Sequence, residues 1–199
     1  MGKRRLEDAL KKIDQSVEVT YRSFQLEPTI AKDVNYNIYE KLASKYGMSI
    51  EQAKGNVESM VQMARSEGLE FQMDTQILTN TFDAHRLTIF AKNKGLMHEM
   101  TERILKAYFT ESKHIGDHES LMSLAEDVGL DRKEVNELLN SNKMEEEVLE
   151  DIREATQLGI QSVPFFLINR KYSLTGAQPT DVFVLALEKI LNEYGANAD

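Results

Sequence analysis

The sequence contains no cysteine among its 199 residues. Disulfide bonds, thiolate metal ligands and catalysis by a cysteine nucleophile all require that side chain. Its absence excludes these three kinds of chemistry from the chain as given. It also limits any functional assignment that rests on thiol–disulfide exchange.

The chain also has no excess of basic residues. The chain has 24 lysines and arginines against 33 aspartates and glutamates, which gives a formal net charge of −9. A nucleic-acid-binding protein needs a basic face to neutralise phosphates. We therefore expect no nucleic-acid partner.

Long apolar segments are also absent. No apolar run approaches the roughly 20 residues that a helix needs to span a bilayer, so we expect no membrane partner. The first ten residues, MGKRRLEDAL, are too charged after their basic residues to form a secretory signal. We expect a cytoplasmic location by default.

Several motifs of known chemistry do not occur. The sequence has no G-x-S-x-G, no glycine-rich phosphate loop and no H-E-x-x-H, and we predict no cofactor and no metal site. His114 and His118 have the spacing of metal ligands on a helix. Gly116 between them, with Asp117 as a helix cap, favours a solvated loop instead.

The two ends of the chain have a mixed helix and strand pattern. Residues 3–13 carry apolar residues at helical spacing, and 17–26 (VEVTYRSFQL) alternate as a half-buried strand does. Near the other end, PFFLIN (164–169) and YSLTG (172–176) predict a hairpin, followed by a helix that begins at Thr180.

The middle of the chain is helical in pattern throughout. Seven amphipathic segments lie between residues 33 and 155, separated by glycines that are typical helix stops. The start signals are Ser49 with Gln52, Asn80, Asp117, and Asp131 with Glu134. We predict an α/β domain formed by 1–32 and 156–199, interrupted by a helical insertion domain at 33–155.

An acidic cluster marks the seventh of these helices. Its members are Glu145, Glu146, Glu147, Glu150 and Asp151. A run of like charges on a helix is typical of a solvated face, and this is the interpretation adopted for all five.

The stretch GIQSVPFFLIN (159–169) places a proline at the mouth of an apolar run. Proline cannot donate a hydrogen bond to a sheet ladder, so it belongs at the first residue or edge of a strand. The alternative is a cis Val163–Pro164 bond, which presents the backbone of the preceding residue to a bound molecule. The tripeptide alone leaves both interpretations open.

Five motifs in order resemble the DsbA-like branch of the thioredoxin superfamily, most closely its FrnE-like members. They are GKRRLEDAL (2–10), Phe24-Gln25-Leu26 followed by Pro28, NTFDAHRL (80–87), SVPFFLIN (162–169) and TGAQP (175–179). The resemblance covers the whole chain. It implies a thioredoxin-like α/β fold with a large all-helical insertion.

The resemblance also implies a binding groove. It makes Val163-Pro164 the cis-proline bond of the family, where the backbone before the proline can pair with an extended substrate. The implied groove residues are Ser162, Val163, Pro164, Asn80 and His85. For Asn80 we favour a helix cap over a groove position, whereas for His85 a helix surface and a groove position stay open. The implied partner is an extended polypeptide or a small thiol substrate.

The chain departs from the family pattern at its start. In relatives GKRRLE follows a strand and a Cys-x-x-Cys dithiol, whereas here Met1 stands directly before Gly2. We interpret this as a natural or misassigned short start, or a truncation, and predict no catalytic residue and no redox activity in this chain. We expect the sheet either to rearrange to three strands or to be completed between chains, as in a homodimer.

Three functions remain open at this point. The first is a protein disulfide oxidoreductase or isomerase homologue that lacks its dithiol. The second is an enzyme similar to the 2-hydroxychromene-2-carboxylate isomerases and kappa-class glutathione transferases, which share the fold. The third is a non-catalytic, chaperone-like module that binds peptides.

Overall fold

The structure, a computed structural model, describes residues 1–195 and the side chains of residues 1–193. Within this range no helix is both long and apolar enough to cross a membrane. The helices are α1 (Gly2–Leu10), α2 (Ile38–Tyr46), α3 (Ile50–Ser66), α4 (Phe82–Lys92), α5 (Met97–Phe109), α6 (His118–Asp127), α7 (Arg132–Leu139), α8 (Glu145–Gln157) and α9 (Thr180–Gly195). The strands are β1 (Phe165–Ile168) and β2 (Tyr172–Thr175).

The chain divides into two compact units. The terminal unit comprises Met1–Thr20 and the segment from Gly159 onward, and the helical unit comprises Tyr21–Leu158. These divisions, at 20/21 and 158/159, differ from the predicted domain boundaries at 32/33 and 155/156. The boundaries at 32/33 and 155/156 were predicted for folding domains and stay a prediction.

The terminal unit is built on the β1–β2 hairpin. The strands pair antiparallel in a register that sets Phe165 opposite Thr175. Asn169 and Arg170 have φ of 50° and 55°, and Lys171 N donates to Ile168 O at 3.1 Å. Two consecutive positive φ angles are the signature of a type I′ turn, whose twist matches that of the flanking strands.

Two helices complete the terminal unit. Helices α1 and α9 pack against each other, and α9 contributes the fully buried Phe183. The ring of Phe166 on β1 meets the Phe183 ring edge to face, with centroids 4.7 Å apart. Aromatic pairs prefer this geometry, so the hairpin is fixed on α9 through one face.

The helical unit follows the sequence signals closely. Ser49 and Gln52 form the predicted capping box of α3, and Gly47 ends α2 in the left-handed conformation with φ of 64°. Asp117 and Asp131 cap α6 and α7 as predicted. Helix α4 contacts α5, α6, α7 and α8 and is therefore the centre of this unit.

The predicted strand at 17–26 is wrong. These residues form no strand, and the sheet among the described residues has two strands, β1 and β2. The prediction of a rearranged three-stranded sheet is therefore wrong as well. An alternating pattern becomes a strand only where a neighbouring strand supplies the ladder, and the described chain offers none to this segment.

Candidate functional site

Three of the predicted groove residues form one loop of the terminal unit, directly before β1. Ser162 and Val163 are exposed, Val163 to 44%, and Pro164 is half-buried. The Val163–Pro164 peptide bond is cis. The carbonyl oxygen of Pro164 accepts a hydrogen bond from Gly176 N at 2.8 Å, which ties this loop to the end of β2.

The first turn of α1 packs directly on this loop. A Cβ atom at Gly2 would lie 2.6 Å from Cγ of Pro164 and 3.3 Å from Cζ of Phe166. Farther along α1, Arg5 Nη1 donates to the carbonyl oxygen of Ala177 at 2.5 Å. The positive end of the α1 dipole therefore adjoins Pro164, and glycine is required at position 2 for this close approach.

The loop before β1 presents hydroxyl, apolar and backbone groups to solvent. Its exposed groups are the hydroxyl of Ser162, the apolar side chain of Val163 and the local backbone. No group of three or more potential metal-ligating side chains occurs among the residues that the structure describes. Thiol–disulfide exchange at this loop would need a thiolate, and the sequence contains no cysteine to supply one.

Asn80 belongs to the helical unit and lies just before α4. Its Oδ1 accepts from Gln25 Nε2 at 3.1 Å and from Phe82 N at 2.9 Å. Its Nδ2 lies 3.2 Å from the carbonyl oxygen of Pro28 and 2.9 Å from that of Ile30. These four contacts use the whole hydrogen-bonding capacity of the amide.

The predicted cap role of Asn80 needs correction. The N-cap of α4 is Thr81, whose side chain makes no capping hydrogen bond. Asn80 lies one position before this N-cap, and its Oδ1 accepts from Phe82 N, the first amide of α4. The same side chain also holds residues 25–30. Its geometry is that of a structural anchor, and its membership of a substrate groove stays a prediction.

The segment 22–25, predicted as part of a strand, is held by side chains of helices. The carboxylate of Asp151 accepts from Ser23 N at 2.8 Å and from Arg22 Nη1 at 2.7 Å. The imidazole of His85 is hydrogen-bonded to the backbone of Phe24. Side chains of α4 and α8 therefore take the place of a neighbouring strand.

His85 is neutral at physiological pH in this environment. Burial of the imidazole lowers its pKa from 6.5 to about 4, against the opposing effects of Asp151 and the Phe24 backbone. Burial disfavours the charged form of a base. The sequence leaves open whether His85 lies in a groove or on a helix surface. In the structure its side chain is half-buried and contacts the 22–25 segment.

Asp151 is the residue that sequence reasoning misassigned. It was expected on a solvated acidic face, but it is 7% exposed and carries the contacts to Arg22 and Ser23. A signal was present in the sequence. Asp151 lies three residues after Val148 and four before Ala155, both buried, so it falls on the apolar stripe of α8 and not on its outer face.

A pocket of about 570 Å³ lies in the helical unit beside Asn80 and Gln25. Asp83 also lines it, and this carboxylate contacts His118 Nε2 at 2.8 Å and Arg86 Nη1 at 2.7 Å. The remaining lining residues are Pro28, Lys32, Phe82, Gly116 and Leu149. Both charged lining residues therefore have partners outside the lining, since Lys32 Nζ lies 3.5 Å from Asp117 Oδ1.

Arg86 is a second residue that the sequence analysis missed. It is 3% exposed and donates to the carbonyl oxygens of Leu138, Ser141 and Lys143. These bonds hold the connection between α7 and α8 against α4. A buried arginine that satisfies several carbonyl groups is a structural device, so Arg86 is not assigned to a binding site.

The five predicted groove residues thus fall into two groups. Ser162, Val163 and Pro164 are adjacent in the terminal unit, and Asn80 and His85 both fasten the segment 22–30 of the helical unit. Their assembly into one groove stays a prediction.

Comparison with known proteins gives consistent results. The family described as DSBA-like thioredoxin domain matches residues 1–188. The crystal structure of a probable DsbA oxidoreductase, SCO1869 from Streptomyces coelicolor, superposes with a TM-score of 0.92 at 38% identity, covering 96% of this chain and 84% of that one.

Two further relatives are more distant. The uncharacterized protein YwbO of Bacillus subtilis (strain 168) is 27% identical over 94% of this chain and 88% of its own length. A putative protein disulfide isomerase from Nitrosomonas europaea matches with a TM-score of 0.61 at 14% identity, covering 78% of this chain and 89% of that one, and supports the fold alone. With its helical insertion and thioredoxin-like fold, this chain belongs to the DsbA-like family.

Proposed function

We propose that this chain binds extended polypeptide at the Ser162–Val163–Pro164 loop and performs no thiol–disulfide exchange of its own. The observation that carries the proposal is the exposed Val163 beside Pro164, at the N-terminus of α1. In the DsbA-like family this is the place where an extended chain meets the dithiol. The dithiol is missing here, because no cysteine occurs in the sequence.

Local chemistry supports an extended peptide as the ligand. Val163 offers an apolar side chain, and the loop continues into β1, whose backbone is already in extended conformation. Extended peptides bind exposed backbone through main-chain hydrogen bonds, with specificity from side-chain contacts, and the backbone of Ser162 and Val163, before β1, is the part that we propose to pair. A small thiol would need a thiolate or disulfide to react with, which these residues do not provide.

Three further assignments belong to the same proposal. They are the FrnE-like character of the chain, its cytoplasmic location and its role as a holder rather than a catalyst of disulfide exchange. The motifs at 80–87 and 162–169 support the first of these. The absence of cysteine, and so of disulfide bonds, fits the other two.

A binding titration tests the proposal. A labelled, permanently unfolded polypeptide without thiols is titrated with the protein, and fluorescence anisotropy gives the dissociation constant. We expect Val163→Asp to weaken binding at least about tenfold, since a charge replaces an apolar contact at the centre of the site. Leu185→Asp on α9, which replaces a leucine that is 67% exposed in the same unit, is the matched control and should bind as the unmodified chain does.

Two results would overturn the proposal. One is equal affinity of the Val163→Asp and Leu185→Asp variants, which would remove the loop from the binding surface. The other is insulin reduction by this cysteine-free chain at a rate above the uncatalysed control.

A further inference from the structure

The hairpin of the terminal unit has one open edge. Gly176 N donates to Pro164 O at 2.8 Å, so these two residues form a hydrogen-bonded position of the antiparallel ladder. Hydrogen-bonded positions alternate along such a ladder. Phe165 and Leu167 therefore direct their backbone N–H and C=O groups away from β2. Among residues 1–195, no further strand pairs with this edge.

Within β1 the open edge carries no charged side chain and no proline. Natural edge strands are shielded by charged side chains, prolines or bulges. The sequence of β1 is FFLI, without a charge, and Leu167 is 38% exposed. An edge of this kind is a template for another strand.

The distribution of charge favours a second copy of this chain as the source of the pairing strand. The helical unit carries 25 of the 33 acidic and 16 of the 24 basic side chains, so the whole net charge of −9 lies there. The terminal unit carries eight of each and is neutral. Like-charged surfaces repel, so a second copy of this chain is opposed at the helical unit and unopposed at the terminal unit.

We infer that two copies of this chain pair through their β1 strands, antiparallel about a two-fold axis at Phe166. In this register Phe165 of one copy lies opposite Leu167 of the second copy, and the reverse pair follows from the symmetry. The two pairs make four backbone hydrogen bonds and a continuous four-stranded sheet in the order β2–β1–β1–β2.

The register is also compatible with the charges of the turn. Arg170 of one copy lies opposite Ser162 of the second, so no like charges face each other across the new ladder. The strands are short, and the contact is smaller than a permanent interface of standard size. The dimer is therefore concentration-dependent. It uses the edge of β1 and does not depend on the peptide binding proposed above.

The cysteine-free chain permits a direct test by cross-linking. Leu167→Cys and Phe165→Cys are prepared separately, checked for folding by circular dichroism, and oxidised alone and as an equal mixture. Hydrogen-bonded antiparallel pairs have Cα atoms about 5.5 Å apart, within the range of a disulfide. We expect the mixture to give at least about five times more cross-linked dimer than either variant alone, because two equal positions lie farther than about 7 Å apart.

The matched control is Ser173→Cys mixed with Phe165→Cys. Ser173 is paired with Leu167 inside the hairpin and is exposed on the same face, but it lies one strand farther from the second copy. We expect no cross-link above background in this mixture. Equal cross-linking in all mixtures, or in none, would overturn the inference.

A second measurement uses the unmodified chain and does not require cysteine variants. Analytical ultracentrifugation should show a monomer–dimer equilibrium, and Leu167→Lys should shift it to monomer by placing two lysines at the interface. A monomer at all concentrations would overturn the inference, as would a dimer that Leu167→Lys leaves intact. A sheet edge protected from exchange only when a foreign peptide is added would also contradict it.

Discussion

Asn80 shows how much a single amide contributes when all its hydrogen-bonding atoms are used. It joins Gln25, Pro28 and Ile30 to the start of α4 through its side chain. Each such bond contributes about 0.5–1.5 kcal/mol net, and more where a half-buried partner loses its only contact.

We expect Asn80→Ala to lower the free energy of unfolding by roughly 2–3 kcal/mol. Urea denaturation followed by circular dichroism measures the change. The matched control is Asn56→Ala on α3, where the amide is exposed and its Nδ2 lies 3.6 Å from the sulfur of Met48. Equal effects of the two substitutions would show that Asn80 does not anchor the 25–30 segment.

His85 makes the stability of the helical unit depend on pH. Its pKa falls from 6.5 to about 4 on folding, so between these values the unfolded chain binds the extra proton and the folded chain does not. The contribution of His85 to the free energy of unfolding is therefore complete above pH 6.5. It decreases as the pH falls toward 4, by on the order of 3 kcal/mol.

We expect His85→Gln to remove this part of the pH dependence, because glutamine keeps a donor and does not titrate. Urea unfolding of both proteins at several pH values between 7 and 4 gives the difference between the two curves. Parallel curves over that range would show that His85 does not titrate with a lowered pKa.

At the scale of secondary-structure elements, α1 is placed by its contact with Pro164. Alanine normally favours a helix over glycine by about 1 kcal/mol. At position 2, however, a methyl group would lie 2.6 Å from the Pro164 ring. We expect Gly2→Ala to destabilise the protein by at least about 1 kcal/mol, since a packed contact must shift.

Gly55 provides a control at which alanine is expected to change the stability in the opposite direction. It lies within α3, and no atom lies within 4 Å of a Cβ built there. Gly55→Ala should stabilise the protein by roughly 0.5–1 kcal/mol. Thermal denaturation of the two variants distinguishes the cases, and a stabilising Gly2→Ala would contradict the described packing of α1 on the loop.

The extended segment 22–25 depends on α8 in the same way. Asp151→Ala removes the acceptor for Ser23 N and the partner of Arg22, and we expect it to cost roughly 3 kcal/mol. Hydrogen exchange at the Ser23 amide should accelerate. Glu150→Gln, an exposed neighbour on the same helix, should change neither quantity. Unchanged protection of Ser23 in the Asp151→Ala variant would contradict this account.

The helices were predictable because their signals are local. Ser49 with Gln52, Asp117 and Asp131 each satisfy backbone amides within three residues, so the sequence contains the whole interaction. The β1–β2 hairpin was predictable for the same reason, since its turn is three residues long.

The segment 17–26 could not be predicted from its own pattern. Whether an alternating stretch forms a strand depends on a partner elsewhere in the chain, and here the partners are side chains of α4 and α8. The anchoring role of Asn80 and the burial of Asp151 are non-local in the same sense. Each depends on a segment 50 or more residues away in sequence.

At the scale of the whole molecule, the chain combines a DsbA-like fold with a complete lack of thiols. The family relationship rests on the match over residues 1–188 and on the similarity to the Streptomyces coelicolor protein. The loop that we propose to bind an extended chain, residues 162–164, lies in the terminal unit. The sequence supplies no cysteine to react with such a chain, and the proposed function combines these two features.

Hydrogen–deuterium exchange with and without a thiol-free unfolded polypeptide tests this central claim most directly. At constant protein concentration, we predict slower exchange at the amides of Ser162 and Val163 when the polypeptide is present, because their backbone becomes paired. The segment 22–25, already held by Asp151 and His85, should not change. Unaltered exchange at Ser162 and Val163, or protection confined to the helical unit, would contradict the account.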